Sequence, residues 1–203
     1  MRSGPLGRSF GAAVFALLAL LLGGCAGNVV NMQEVAPETI AAAPPSGKAR
    51  IVFMRTSGVG FAIQSSVFEV KDNFPSLIGI LAAKTRVAYD LDPGKHLFMA
   101  IGESADFMTA DVLADKTYYA LVSPRMGLWK ARFAVEPVRL RELDIPSFKT
   151  DVDSCKWVTK SDASEAWTRA NIQSIVSKQS EYYPDWQKRP DAEKPHLAPD
   201  MGR

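Results

Sequence analysis

The two cysteines are the first candidates for chemistry in this chain of 203 residues. The motif Leu22-Gly23-Gly24-Cys25 closes an apolar run over residues 10–22, which follows a short basic N-terminus. Small side chains before Cys25 suit cleavage by a peptidase, and an accessible thiol suits acylation. The run is shorter than the roughly 20 apolar residues of a membrane-spanning helix. Residues 1–24 are therefore predicted to be a secretory signal peptide.

The same four residues resemble the lipobox of bacterial lipoproteins. The resemblance implies diacylglyceryl transfer to Cys25, cleavage before it and N-acylation of the new terminus. Several acyl chains anchor a protein stably, so the membrane is the first predicted partner. Ala26 stands where an aspartate would favour the inner membrane, which predicts an outer-membrane lipoprotein facing the periplasm. The alternative is an ordinary signal peptide with a cysteine present by chance.

Removal of residues 1–24 leaves 179 residues and lowers the formal net charge from +2 to 0. Nucleic-acid binding needs a basic patch, so nucleic acid is not an expected partner. The length suits one domain with a hydrophobic core. With Cys25 acylated, Cys155 has no partner for an internal disulfide. We interpret Cys155 as a small buried hydrophobe, with a reactive thiol as the alternative.

Between residues 48 and 142, short apolar runs such as residues 50–55 and alternating residues such as 86–91 predict short strands separated by turns such as Asp92-Pro93-Gly94. We therefore predict a mainly β fold, an antiparallel β-sandwich of about seven to eight strands with an appended C-terminal helix. The predicted strands are residues 50–55, 66–71, 77–83, 86–91, 96–101, 107–113, 117–122 and 129–136.

The remaining residues are assigned to flanking segments. The predicted order is a lipidated cysteine and flexible linker (25–47), the β-sandwich domain (48–142), a C-terminal helical extension (143–184) and an extended or disordered tail (185–203). The helix is predicted to begin at Ser161, which is followed by acidic residues in the first turn, and to end at Pro184.

Three stretches of the predicted sandwich resemble landmarks of a known family. They are residues 49–55, residues 89–96 with their Pro-Gly turn, and residues 114–119, which end in Tyr118-Tyr119. The family is a bacterial lipoprotein family of unknown function, similar to carboxypeptidase-regulatory and PEGA-type β-sandwich domains. The resemblance covers residues 48–123 and implies a fold without catalytic residues. Asp115 stands where that family usually has glycine.

No catalytic residue, metal site or cofactor is predicted. A hydrolytic triad needs a nucleophile, a base and an orienting group, and the histidines are His96, beside a turn, and His196, in the predicted tail. Cys155 with His96 is the one thiol pair considered. The chain has no C-x-x-C or H-E-x-x-H motif for zinc, and its paired aspartates lack the further ligands of a calcium loop.

One loop combines cations with a large aromatic side chain. Arg125, Trp129, Lys130 and Arg132 form the predicted contact site for a ligand or partner, since such a mixture binds anions or sugars. The predicted function is a membrane-anchored periplasmic lipoprotein that acts as a non-catalytic interaction or scaffolding module, with an envelope protein as its partner. The alternatives are a binder of anionic lipid or glycan at the Arg125–Trp129 loop and, third, a thiol enzyme using Cys155.

Overall fold

The computed structural model describes residues 30–125 and 132–203, and its main feature is a pair of β-sheets packed face to face. The strands in these residues are β1 (Met32–Val35), β2 (Ala49–Arg55), β3 (Ser65–Lys71), β4 (Phe74–Leu81), β5 (Thr85–Leu91), β6 (Gly94–Ile101), β7 (Ala105–Val112), β8 (Thr117–Arg125), β9 (Arg132–Pro137), β10 (Lys156–Lys160) and β11 (His196–Leu197). All eight predicted strands are present, and the mainly β fold with a C-terminal helix is confirmed.

Both sheets are mixed. Sheet A has the order β1-β10-β5-β2-β8-β9, and sheet B has the order β11-β7-β6-β3-β4. Most neighbouring strands are antiparallel, as predicted, but β2 with β8, β5 with β10, and β7 with β11 are parallel pairs. Each parallel pair joins strands far apart in the chain, because a short hairpin can connect only antiparallel neighbours.

The core between the sheets is organised around β2, whose seven residues are all buried. Its Phe53 ring meets the Phe98 ring of β6 edge to face, with the ring centroids 5.1 Å apart. Aromatic pairs in this arrangement are worth about 0.5–1.5 kcal/mol beyond the apolar area they bury. The contact joins the two inner faces at the centre of the sandwich.

The outer face of sheet A is covered by two short helices, α1 (Leu140–Leu143) and α2 (Pro146–Asp153). Met54 of β2 is fully buried there against Leu143 of α1 and Val152 of α2. This second, smaller apolar cluster explains why both faces of β2 are buried.

The C-terminal helix α3 (Asp162–Gln187) covers sheet B, packing mainly on β7 and β4. Its predicted start is confirmed, since Ser161 caps the helix and accepts a hydrogen bond from the backbone N–H of Ser164. The predicted end at Pro184 is wrong. The helix continues to Gln187 because Trp186 is buried against Phe107 of β7, with ring centroids 5.9 Å apart, and this packing stabilises the last turn.

The described part of the predicted linker is ordered, which corrects the expectation of a flexible segment. Strand β1 pairs antiparallel with β10, with Met32 opposite Lys160. Further along, the Arg50 guanidinium donates a hydrogen bond to the carbonyl oxygen of Ala41. A short 3₁₀ turn, Pro37–Thr39, lies between these two contacts. Sequence alternation could not reveal them, because their partners lie elsewhere in the chain.

The predicted tail, residues 185–203, is not disordered. Strand β11 pairs with β7, and its Leu197 is fully buried in the main core. Gly202 lies so close to Tyr118 that an added Cβ would come within 2.5 Å of the ring. Two 3₁₀ turns, Asp191–Glu193 and Pro199–Met201, link these contacts. Within residues 30–125 and 132–203, no helix is long and apolar enough to cross a bilayer.

Replacement of Leu197 by alanine tests the ordered tail. We expect Leu197→Ala to lower the free energy of unfolding by about 2–5 kcal/mol, because it leaves a cavity in the core. His196→Ala, on the exposed neighbour in the same strand, is the matched control and should change it much less. Urea unfolding measures both. Equal, negligible effects of the two substitutions would contradict the packing of this segment.

Candidate functional site

A cleft of about 390 Å³ lies on the outer face of sheet A, beside α1 and α2. Its floor is built from outward-facing residues of four strands, and period-two alternation places them on one face. They are Arg50 and Val52 of β2, Arg86 of β5, Thr117 and Tyr119 of β8, and Trp157 of β10. The walls come from residues 40–42, from the two helices and from Arg203. The volume lies within the usual range for small-molecule sites.

The Arg86 guanidinium lies over an aromatic ring in this cleft. Its guanidinium carbon lies 4.2 Å from the centroid of the Trp157 ring, and the two residues are direct neighbours across the β5–β10 pair. The Nε atom is buried and has no hydrogen-bond partner. No carboxylate forms an ion pair with Arg86 among the residues that the structure describes. Its charge is therefore not neutralised by an ion pair. A hydrogen bond from Lys149 lowers the pKa of Asp153 in the same lining, and the charge of Arg86 contributes to this shift.

Arg203 repeats this arrangement on the opposite wall. Its guanidinium carbon lies 5.2 Å from the centroid of the Tyr119 ring, and one of its nitrogens donates a 3.2 Å hydrogen bond to the Tyr119 hydroxyl. The backbone of Arg203 exchanges two hydrogen bonds with Thr117, which fixes the segment to β8. Two guanidinium groups are thus positioned by aromatic rings, and the donors that Arg203 does not use on Tyr119 can bind an anion.

Arg50 has a different role, because its donors are already used. Its Nε and one terminal nitrogen bind both carboxylate oxygens of Asp90, at 2.6 and 2.9 Å. The other terminal nitrogen holds the Ala41 carbonyl. Arg50 therefore fixes the wall formed by residues 40–42 and is neutralised by Asp90.

The electrostatic balance of the lining is positive. With Arg50 neutralised by Asp90, three cations of the lining remain, namely Arg86, Lys149 and Arg203, against two carboxylates, Asp144 and Asp153. Lys149 and Asp153 form an exposed ion pair at 2.8 Å. The lining contains neither histidine nor cysteine. The cleft can therefore attract an anion and hold it by charge-assisted hydrogen bonds.

The sequence-predicted contact site is only partly visible. Trp129 and Lys130 lie outside the described residues, as does the lipidation candidate Cys25. Arg125 and Arg132 are directly opposite each other in the β8–β9 pair. Arg125 is paired with Glu136 at 2.5 Å, on the surface. Ligand binding at this loop stays a prediction.

His96 lies in a polar cluster between the two sheets. Its Nδ1 is 2.5 Å from a Glu69 carboxylate oxygen, and its Nε2 is 2.9 Å from the carbonyl oxygen of Asp92. The Tyr89 hydroxyl, from sheet A, donates a 2.6 Å hydrogen bond to the other Glu69 oxygen. Both ring nitrogens face acceptors, so the doubly protonated imidazolium satisfies this site. The bond to Glu69 raises the pKa of His96, and the bond to His96 lowers the pKa of Glu69.

Cys155 is buried, as predicted, with 4% of its surface exposed. Its thiol lies 3.3 Å from the carbonyl oxygen of Asp151, to which it donates. Burial raises the pKa of the thiol to about 11, whereas reactive cysteines have lowered pKa values. The partners of His96 belong to a separate cluster, so the structure does not pair His96 with Cys155.

Metal ligands do not gather in the part of the chain that the structure describes. No group of three or more His, Cys, Asp or Glu side chains is placed there to hold a metal ion.

No family model matches the chain, and no curated protein matches it. The resemblance to PEGA-type lipoproteins therefore stays a prediction.

The cleft residues were missed by sequence reasoning for identifiable reasons. In the predicted strand over residues 86–91, Arg86 alternates with the apolar Val87, on the face that usually contacts only solvent. Trp157 and Arg203 lie in segments that were assigned outside the sandwich. The one available signal was the run Trp157-Val158-Thr159, three residues of high β propensity that fit a short strand.

The Glu69–His96 pair predicts a specific pH dependence of stability. The pKa of Glu69 is lowered from 4.5 and that of His96 is raised from 6.5. The pair therefore makes its full contribution to the free energy of unfolding between pH 4.5 and pH 6.5. It is lost as the pH falls through the folded-state pKa of Glu69 or rises through that of His96. Glu69→Gln should lower the free energy of unfolding by about 1–3 kcal/mol near pH 5.5 and by less near about pH 9.

Urea unfolding at both pH values measures this difference. Glu181→Gln, on an exposed carboxylate of α3, is the matched control and should show no such dependence. A loss of stability in Glu69→Gln that is equal at both pH values would contradict the charged pair.

Proposed function

We propose that the protein is a membrane-anchored envelope lipoprotein that acts as a non-catalytic binding module, with the cleft on sheet A as its ligand site. The observation that carries the binding role is the pair of guanidinium groups of Arg86 and Arg203. Both are stacked on aromatic rings in one cleft, and neither is paired with a carboxylate of the described residues. The anchor is supported by the motif that ends at Cys25.

The ligand class follows from the shape and charge of these groups. A guanidinium group presents a planar fork of donors that matches the oxygens of phosphate and carboxylate. We therefore propose a small ligand that carries a phosphate group. Such a group occurs both in soluble phosphate esters and in lipid headgroups.

Titration calorimetry on the full-length protein in a neutral maltoside detergent tests this ligand. The two probes are sn-glycerol 3-phosphate and monomeric dihexanoyl phosphatidylglycerol, with glycerol as the uncharged control. Binding of the first probe alone indicates a soluble phosphate ester, and binding of the second alone indicates a lipid headgroup. Arg86→Gln and Arg203→Gln should each weaken binding at least about tenfold, because a hydrogen bond to a charged group is worth about 1.5–3 kcal/mol.

Arg169→Gln is the matched control, since Arg169 is exposed on α3, which covers the other sheet. It should leave the affinity unchanged. No heat of binding with either phosphate probe, or equal affinity of all three variants, would overturn the assignment of the cleft.

Mass spectrometry of the protein extracted from membranes tests the anchor separately. The mature N-terminus should be Cys25, and its peptide should carry a diacylglyceryl group and an amide-linked acyl chain. The peptide that contains Cys155 serves as the internal control and should be unmodified. A mature chain that begins at another residue, with a free Cys25 thiol or none, would contradict the anchor.

A further inference from the structure

Two apolar side chains are exposed at turns on one end of the sandwich. Phe74 begins β4 and is 60% exposed, and Leu113 directly follows β7 and is 46% exposed. Phe74 is opposite Lys71, the last residue of β3. The residue before Leu113, Val112, is opposite Gly94, the first residue of β6. Because β3 and β6 are antiparallel neighbours, the end of β3 and the start of β6 lie at the same end of sheet B.

The chain enters the sandwich from Cys25 at this same end. Strand β1 begins at Met32, opposite Lys160, the last residue of β10. Strand β10 runs parallel to β5, so the chain enters where β5 ends, at Leu91. Only two residues separate the end of β5 from the start of β6, so the two sheets share this end. We call it the entry end of the sandwich.

The predicted anchor lies close to the entry end along the chain. Five residue steps separate Cys25 from Val30, the first residue described, and they span at most about 18 Å. The loop over residues 56–64 lies at the opposite end, because β2 starts at the entry end with Ala49 opposite Leu91. The seven residues of β2 separate the two ends by roughly 20 Å. An acylated Cys25 therefore keeps the entry end close to the bilayer.

The turn before Phe74 is held in place by α3. Asp72 and Asn73 have positive φ values of 50° and 63°, as a two-residue type I′ hairpin requires. The Asn73 carbonyl oxygen accepts a 3.2 Å hydrogen bond from the side-chain amide of Gln179, which is buried on α3. This contact fixes the hairpin to the helix and leaves Phe74 exposed at the entry end.

We propose that the entry end rests on the bilayer that holds the acyl chains of Cys25, with Phe74 and Leu113 inserted among the lipids. This inference rests on the proposed lipid anchor. Two apolar side chains are far fewer than the roughly 20–30 residues that each side of a standard protein interface uses. They can enter the boundary between headgroups and acyl chains, where apolar side chains are buried by about 5–10 Å. Since the acyl chains supply most of the affinity, these two side chains need only orient the sandwich.

Charges of both signs lie beside the two apolar residues. In the hairpin they are Lys71 and Asp72, and after β7 they are Asp115 and Lys116. Electrostatic attraction to anionic lipids strengthens membrane binding only where cations are in excess. The apolar side chains themselves therefore carry the contact, and we expect insertion into bilayers of neutral phosphatidylcholine.

A fluorescent probe at three positions tests this orientation. In the full-length lipoprotein, a nitrobenzoxadiazole group is attached to Phe74→Cys, Leu113→Cys or Phe61→Cys, one at a time. Each variant has a single labelled thiol, because Cys25 is acylated and Cys155 is buried with a raised thiol pKa. Phe61 is the matched control, since it is also 60% exposed but lies in the loop at the opposite end.

The vesicles contain phosphatidylcholine, a fraction of it with a nitroxide on the acyl chain. At residues 74 and 113 we expect blue-shifted emission that the nitroxide lipid quenches. At residue 61 we expect the emission of a probe in water, quenched by aqueous iodide. Leu113→Cys keeps the test decisive if Phe74→Cys fails to fold, since it follows a different strand.

The outcomes separate this inference from the anchor. In protein that the vesicles retain, lipid quenching at residue 61 as strong as at residues 74 and 113 would overturn the orientation. Quenching by iodide alone at all three positions would overturn it as well. Loss of the protein from the vesicles would instead contradict the anchor. Shielding of residues 74 and 113 in whole envelopes but not in vesicles would also overturn the inference, in favour of a protein partner.

Discussion

The burial of β2 on both faces is the constraint on which the rest of this structure depends. One face, with Phe53, contacts sheet B, and the other, with Met54, needs a separate cover. That cover is supplied by α1 and α2, which together with residues 40–42 leave a cleft above the outward-facing arginines. The cleft is thus a product of how the sandwich buries its central strand. A substitution that loosened the cover would alter the cleft before it altered the sandwich.

Arginines recur at the functional positions of this fold, and their partners explain what each can do. Arg50 is satisfied by a carboxylate and a carbonyl, so it serves as a structural tie. Arg55 is satisfied mainly by carbonyl oxygens and shapes a loop. Arg86 and Arg203 rest on aromatic rings, which orient a guanidinium group without neutralising it. Only the last arrangement leaves charge available for binding.

Local pattern predicted most of the sandwich, and long-range pairing accounts for what it missed. Period-two alternation, short apolar runs and β-branched or aromatic content located eight strands, because these signals lie within each strand. Strands β1, β10 and β11 are too short to show that signal, and their partners lie far along the chain. The cleft combines residues from segments as distant as Ala41 and Arg203, so no local motif could indicate it. The helix end was wrongly predicted at Pro184, because the tertiary packing of Trp186 outweighs the local helix-breaking preference of proline.

The positions of β1 and β11 also determine when the two sheets can be completed. Each forms an edge of one sheet: β1 closes sheet A only after β10 exists, and β11 closes sheet B only after residue 197 has been made. Contacts of such long range are formed late, because the intervening chain must first be brought together. The two edge strands therefore complete their sheets last, after the strands between them have paired.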